Sequence, residues 1–247
     1  MRIGIITGEY PPMQGGIGDY THLLARNLAA HGAYVTIMTD VRARSTDSLN
    51  VHPVVTRWDG RAWLQVRAWA KAQRLDIISL QYQTAAFAMS PWIHFLPEVL
   101  RPLPLVTTFH DLRFPYLFPK AGNLRTWIVR RLAEHSSAAI ATNAEDAEVL
   151  TNIHLKTLIP IGSNIRAVSL TPAEIQAERA RWAQDDEFLI GYFGLLNRSK
   201  GVHTLVDALT RMRQHAIPAR LLIIGGTSGA SDPTNAEYER ELRQQIS

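Results

Sequence analysis

Short apolar runs alternate with segments of helical period along almost the whole chain, and no other feature restricts its fold as strongly. Residues 3–7 (Ile-Gly-Ile-Ile-Thr) read as a buried strand. Further strands are predicted over 34–39, 51–56, 76–80, 105–109, 138–141 and 155–159, the last stopped by Pro160. Tyr20, Leu24 and Leu28 recur at i, i+4, i+8 and predict a helix over 19–31, with Gly32 just past its end. Helices are also expected over 61–74, over 91–100 with a proline in the first turn, over 124–135, and from a cap at Asn143 to Leu150. Alternating strand and helix makes a mostly parallel sheet covered on both faces, a Rossmann-like α/β fold. Ligands of such sheets bind beyond the carboxyl ends of the strands. That rule selects the loop after Thr7, the His110 region and the helix start at Asn143.

The periodic pattern lapses over 162–171 and a charged helix follows over 172–182. The pattern then restarts: strand 188–193, loop 194–200, helix 201–215, strand 220–224, helix 236–246. We therefore expect a first domain over 1–165, a connecting stretch over 166–186 and a second, partial Rossmann-like domain over 187–247. Two strands are too few for an independent doubly wound domain.

Composition narrows the setting. Hydrophobic residues make up 46% of the chain, enough for a sizeable core. There is no cysteine, hence no disulfide framework and no thiolate metal site. The apolar run at the N-terminus is too short for a signal-peptide core, and no stretch approaches the ~20 apolar residues of a membrane span. The expectation is a soluble, cytoplasmic protein. A net charge of +4 with 26 basic residues favours anionic partners without choosing among them.

Four segments carry chemistry. Gly8 to Gly18 links the first strand to the first helix, and its Gly15 and Gly16 let backbone N–H groups approach a diphosphate at a helix start. The alternative is a mobile loop that tolerates glycine. A dinucleotide fingerprint does not fit, because its glycines sit directly after the strand and here two prolines intervene. Thr107-Thr108-Phe109-His110-Asp111 ends a strand, where His110 can donate a hydrogen bond into a cleft or titrate near neutrality. Arg198 and Lys200 sit between a strand and a helix start, a natural place for phosphate clamps or, alternatively, a solvated turn. The segment from Arg113 to Arg131 carries Arg113, Lys120, Arg125, Arg130 and Arg131 with Phe114, Tyr116, Phe118 and Trp127 and no acidic residue. It suits an acceptor or an anionic membrane surface. It also suits an ordinary helix with core aromatics and a solvated basic face. No recognised nucleic-acid motif accompanies it, and no nucleic-acid partner is expected. No histidine pair has metal-ligand spacing and no Asp-x-Asp occurs, so no metal or other cofactor is expected.

Together these residues resemble the retaining, family-four type of glycosyltransferases with the two-domain glycosyltransferase-B fold. The matching pieces, in family order, are Glu9-Tyr10-Pro11-Pro12 with Gly15-Gly16-Ile17-Gly18, then Thr108-Phe109-His110-Asp111, then Ala141-Thr142-Asn143-Ala144-Glu145-Asp146. Ile159-Pro160-Ile161-Gly162-Ser163-Asn164-Ile165, Tyr192 through Gly201, and Leu221-Leu222-Ile223-Ile224-Gly225-Gly226 complete the set. The resemblance implies a nucleotide-sugar donor held in a cleft between two domains, with Gly15 and Gly16 approaching its phosphates. It makes Lys200 a phosphate-binding lysine and His110 a cleft histidine near the transferred sugar. Where the family commonly has an arginine after the first loop glycine this chain has Leu195, and Arg198 stands three positions later as its replacement. Transfer would be front-face, with the leaving diphosphate helping to deprotonate a glycan, lipid or small-molecule acceptor. The family's late glutamate pair is not visible before Ser247. The resemblance therefore implies an incomplete second domain and an isolated chain with little or no activity. A non-catalytic binding relative and a nucleotide-sugar epimerase remain the alternatives.

Overall fold

The computed structural model describes residues 1–44, 48–112, 122–150, 153, 155–165, 167–225 and 234–246. The chain divides into two compact units, Met1–Asn164 and Ile165–Ser247.

In the first unit β1 (Arg2–Thr7) leads to α1 (Gly16–Ala30), β2 (Tyr34–Asp40), β3 (Asn50–Val55), α2 (Gly60–Ala72) and β4 (Ile77–Tyr82). A 3-10 turn over Pro91–Phe95 and the one-turn α3 (Leu96–Val99) precede β5 (Leu105–Phe109). Then come α4 (Gly122–His135), β6 (Ala138–Ala141), α5 (Ala144–Val149) and β7 (Lys156–Leu158). All seven strands pair in parallel in the order β3-β2-β1-β4-β5-β6-β7. The expected Rossmann-like sheet is therefore found, with winding that reverses between β1 and β4.

The two-residue period of the strands explains how the sheet is covered. Ile3 and Ile5 of β1, with Val35 and Ile37 of β2, form a cluster with Ala25 of α1. Ile6 and Met38, one residue out of phase, belong to the other cluster, with Ile78 and Leu80 of β4, Val66 and Trp69 of α2, and Leu132 and Ala133 of α4. Each fully buried Ile or Leu contributes about 1.5–3 kcal/mol. Both faces are apolar, which is why the strands read as runs rather than as alternations.

Two helices depart most from their sequence reading, each for a local reason. α1 begins at Gly16 rather than at 19, because the Glu9 carboxylate accepts hydrogen bonds from the N–H groups of Ile17 (3.1 Å) and Gly18 (3.4 Å). The helix expected over 91–100 breaks into the 3-10 turn and α3. Pro97 lacks the N–H that a continuous helix would give to the Ile93 carbonyl.

The second unit holds α6 (Pro172–Ala180), β8 (Phe188–Phe193), α7 (Val202–Gln214), β9 (Ala219–Ile224) and α8 (Thr234–Ile246). β8 and β9 pair in parallel. Leu196, Val202, Val206, Tyr238 and Leu242 make its core. Thr171 and Glu174 form a reciprocal capping box at the start of α6. Arg179 donates to the carbonyls of Gln184 (3.0 Å) and Glu187, tying α6 to the lead-in of β8. No helix among the described residues is long and apolar enough to cross a membrane.

Candidate functional site

A parallel sheet presents all its carboxyl ends on one edge, and in the first unit that edge carries a row of buried polar side chains. Thr7 of β1 lies opposite Gln81 of β4, which lies opposite Thr108 of β5. All three are buried among apolar strands. His110 follows β5 directly, and its Nε2 lies 2.9 Å from Gln81 Oε1. The Gln81 amide group in turn donates to Ser79 Oγ at 2.8 Å. With a carbonyl oxygen opposite it, Nε2 carries the proton and Nδ1 keeps a lone pair. Tyr20, one turn into α1, packs edge-on against the imidazole at 4.8 Å between ring centres.

Burial in this setting pushes the pKa of His110 down from 6.5 to about 4. The sequence reading of a histidine that titrates near neutrality is therefore corrected: desolvation keeps this imidazole neutral well below pH 6. With Nε2 facing Gln81, the ring position left for a ligand is Nδ1, which has no hydrogen-bond partner among the described residues. The start of α5 fixes the chain on both sides of His110. Thr142 Oγ1 donates to the Phe109 carbonyl (3.1 Å), and Asp146 Oδ2 accepts from the Leu112 N–H (3.3 Å). Asn143 caps α5 through its side chain, accepting from the Asp146 N–H, as its position suggested.

The glycine loop is anchored rather than loose. Tyr10 is wholly buried, and its hydroxyl meets His22 Nδ1 at 2.9 Å. Thr7 Oγ1 donates to the Glu9 carbonyl at 2.9 Å. Gly15 has a clear use: a Cβ there would lie 2.1 Å from Glu9 Oε1. Gly16 is exposed, with nothing within 4 Å of its Cβ position. The positive end of α1, which the sequence offered to a donor phosphate, is thus already met by the Glu9 carboxylate. Gly16 remains the open side of this turn. Gln81 and Tyr20 are functional candidates that the motif reading passed over, and Glu9 stands in a quoted motif without a role assigned to it. A polar Gln81 inside the apolar run of β4 was the available signal.

In the second unit Arg198 and Lys200 lie on a 3-10 turn between β8 and α7. Arg198 is paired with Glu241 and stacks over Tyr238 at 5.3 Å. Lys200 is exposed and has no ion-pair partner among the described residues. Gly194 and Gly225, at the ends of β8 and β9, have φ of 145° and 147°, and a Cβ on Gly225 would meet the Gly194 carbonyl oxygen at 2.2 Å. The loop at these strand ends is therefore built by backbone-to-backbone contact that only glycine allows.

Of the basic segment, Arg113 and the side chain of Arg125 lie outside the described residues, as do Phe114, Tyr116, Phe118 and Lys120. Arg130 is half-exposed, 3.8 Å from Glu134. Trp127 is 53% exposed and not part of the core. Arg131 is turned inward. It pairs with Glu98 at 2.6 Å, donates to the His94 carbonyl and lies over the Phe95 ring at 4.4 Å. Its assignment to an acceptor or membrane surface is corrected: it ties α4 to α3. A cavity of about 610 Å3 opens at the opposite edge, between α2 and the lead-in of β5. It holds none of the residues above, so size alone does not mark the site.

A doubly wound parallel sheet with buried polar side chains at its carboxyl edge defines the class as an open α/β fold, in which ligands bind beyond the strand ends. The family model for the glycosyl transferase 4-like domain matches residues 15–157, more than half of the chain and all within the first unit. The chain belongs to that family and carries a glycosyltransferase domain. No curated protein sequence matches it significantly. Among solved structures, sucrose-phosphate synthase from Thermosynechococcus elongatus matches with a TM-score of 0.71 at 20% identity, over 100% of this chain and 67% of that one. WaaG, a glycosyltransferase involved in lipopolysaccharide biosynthesis, matches with a TM-score of 0.62 at 15% identity, over 99% and 68%. A putative UDP-N-acetylglucosamine 2-epimerase from Listeria monocytogenes matches at 0.56 and 12%, over 98% and 66%. Such identities speak of fold, and the fold is of the glycosyltransferase-B type. It is shared by transferases and the epimerase alike, and the family match of this chain is to the glycosyl transferase 4-like domain.

Proposed function

We propose that this chain serves the transfer of a sugar from a nucleotide-sugar donor to a glycan, lipid or small-molecule acceptor, with retention of configuration, in the cytoplasm. The observation that carries the reading is His110: a neutral imidazole at the carboxyl edge, held by Gln81 through Nε2, with an Nδ1 that has no hydrogen-bond partner among the described residues. Such a group can accept a hydrogen bond from a sugar hydroxyl without adding charge where a diphosphate departs. Front-face transfer needs no protein nucleophile, so the protein's contribution is positioning and charge stabilisation. Lys200 supplies the cation for the donor phosphates. Arg198, held by Glu241, supports it less directly.

The test is calorimetric titration of the chain with a panel of nucleoside diphosphate sugars that differ in base and sugar. Binding of one of them is expected. Lys200→Ala should weaken that binding by about 1.5–3 kcal/mol, the worth of a charge-assisted hydrogen bond. Arg198→Ala should cost less, because its guanidinium already has a carboxylate. Unchanged affinity in Lys200→Ala would remove the clamp role. Inversion at a sugar carbon without transfer would favour the epimerase.

The exposed pair Trp127 and Arg130 supports a peripheral contact of α4 with an anionic membrane surface or acceptor. Sedimentation with anionic vesicles at low salt should fall in Trp127→Ala combined with Arg130→Gln. Arg131→Gln should leave it unchanged, since that side chain faces Glu98. Equal sedimentation of the double variant and the wild type would end this assignment.

A further inference from the structure

A cavity of about 500 Å3 opens beyond the ends of β2 and β3, wholly within the first unit. Its volume falls in the range of ~300–1,000 Å3 usual for small-ligand sites. One wall carries Asp40, Arg42, Arg57 and Asp59; the other is the turn that runs from Ala86 to Trp92. That turn touches the glycine loop, because a Cβ on Gly8 would lie 2.1 Å from the Ala86 carbonyl oxygen. The cavity and the loop after β1 therefore share a wall.

Three features of this cavity go together. Trp92 is 44% exposed yet held in place. It packs edge-on against Trp63 at 4.9 Å, and the Trp63 indole N–H donates to the Trp92 carbonyl at 3.0 Å. The Trp92 backbone N–H donates to Ser90 Oγ at 3.2 Å. A fixed, half-bare indole offers an apolar face at little entropic cost. The second feature is strain. Ala88 and Met89 have φ of 51° and 61°, consecutive left-handed residues that no glycine relieves. Strain of this kind gathers at ligand clamps. The third is charge balance. The lining holds two carboxylates and two guanidiniums. Arg42 grips Asp40 through two nitrogens at 2.8 and 3.1 Å, and Asp59 caps α2 by accepting from the Arg61 N–H at 2.9 Å. Arg57 has no ion-pair partner among the described residues. An excess of cations would mark a phosphorylated ligand; a balanced set with an aromatic platform does not.

We propose that this cavity is a saccharide subsite, which seats an uncharged sugar ring of the acceptor on the face of Trp92 with its hydroxyls toward Arg57, Asp40 and Asp59. A pyranose has an apolar C–H face and a polar rim, and the cavity offers both surfaces in that arrangement. The inference rests on the glycosyltransferase reading and names the class of acceptor.

The test is retention of the full chain on an array of neutral and acidic oligosaccharides, without donor, followed by calorimetry with the best-retained neutral glycan. Trp92→Ala should weaken binding at least tenfold and Trp92→Phe about threefold or less. Arg57→Ala, at an exposed position that does not support the fold, should weaken it at least threefold and carries the test if Trp92→Ala does not fold. Absence of any neutral-glycan binding, preference for acidic glycans, or wild-type affinity in the folded variants overturns the proposal. Glycan binding through Trp92 without any nucleotide-sugar binding removes the donor reading of this chain and leaves a saccharide subsite without its acceptor role. Donor binding with no glycan binding removes the subsite and leaves the donor reading standing.

Discussion

Replacing Gly8 with alanine is expected to lower the stability of the first unit by about 3 kcal/mol, at the upper end of the cost of overpacking. The added Cβ would stand 2.1 Å from the carbonyl oxygen of Ala86, 2.4 Å from its carbon and 3.0 Å from the Phe87 nitrogen. All three are backbone atoms, so no rotamer change relieves the clash. The turn they belong to has little room to give. Ala86, Ala88, Met89 and Ser90 donate back to the carbonyls of Gln83, Ala85, Thr84 and Phe87 at 3.0–3.1 Å. Two of these residues already hold left-handed backbone. Gly16→Ala, in the same loop, is the control: its Cβ meets nothing within 4 Å and sits at a helix start, where alanine is acceptable. It should change stability by about 0.5 kcal/mol or less. Urea unfolding of the two variants measures the contrast, and equal midpoints would show that the turn over Gly8 yields more readily than its hydrogen bonds indicate.

Acid should destabilise the chain through His110. Its pKa is lowered from 6.5 to about 4 by burial, so the native state resists a proton that the unfolded chain accepts. Above pH 6.5 both states are neutral and the group contributes no pH dependence. As the pH falls from 6.5 toward 4 the unfolded state binds more protons, and stability declines. The shift corresponds to about 3 kcal/mol at its full extent, reached near pH 4, below which the native imidazole also protonates. His110→Gln, neutral at every pH, should flatten this part of the profile when unfolding is compared at pH 7 and pH 4.5. Some slope should persist, because burial also lowers the pKa of His94 and His52. The imidazole resonances of His110 should titrate near pH 4. A midpoint near 6.5 would mean that the ring is far better solvated than its contacts with Tyr20 and Gln81 indicate.

The readable part of this protein was the part written in local periodicity. Strand 105–109 and strand 138–141 were placed to the residue, and 188–193 likewise, because each is a short apolar run bounded by turn-formers. Asn143 was legible as a cap from its type and place alone. His110, Gly15 and Gly16 were found at strand or helix ends because parallel sheets expose ligands only there. The partners of these residues were not legible. Nothing in the spacing of Glu9 and Gly15 says that a carboxylate folds back to fill the helix start, and nothing couples Gln81 to His110 across 29 positions.

What the chain's local sequence determined was therefore the order of elements, the two-faced burial of the strands and the edge on which chemistry lies. These follow from side-chain period and turn chemistry, which act over a few residues. The tertiary structure alone decided charge and direction. It set which nitrogen of His110 meets Gln81, turned Arg131 onto Glu98 while leaving Trp127 exposed, paired Arg198 with Glu241, and brought Asp40, Arg57 and Trp92 around one cavity. Desolvation and long-range contact control these properties, and both depend on residues distant in the chain that only the folded backbone brings together.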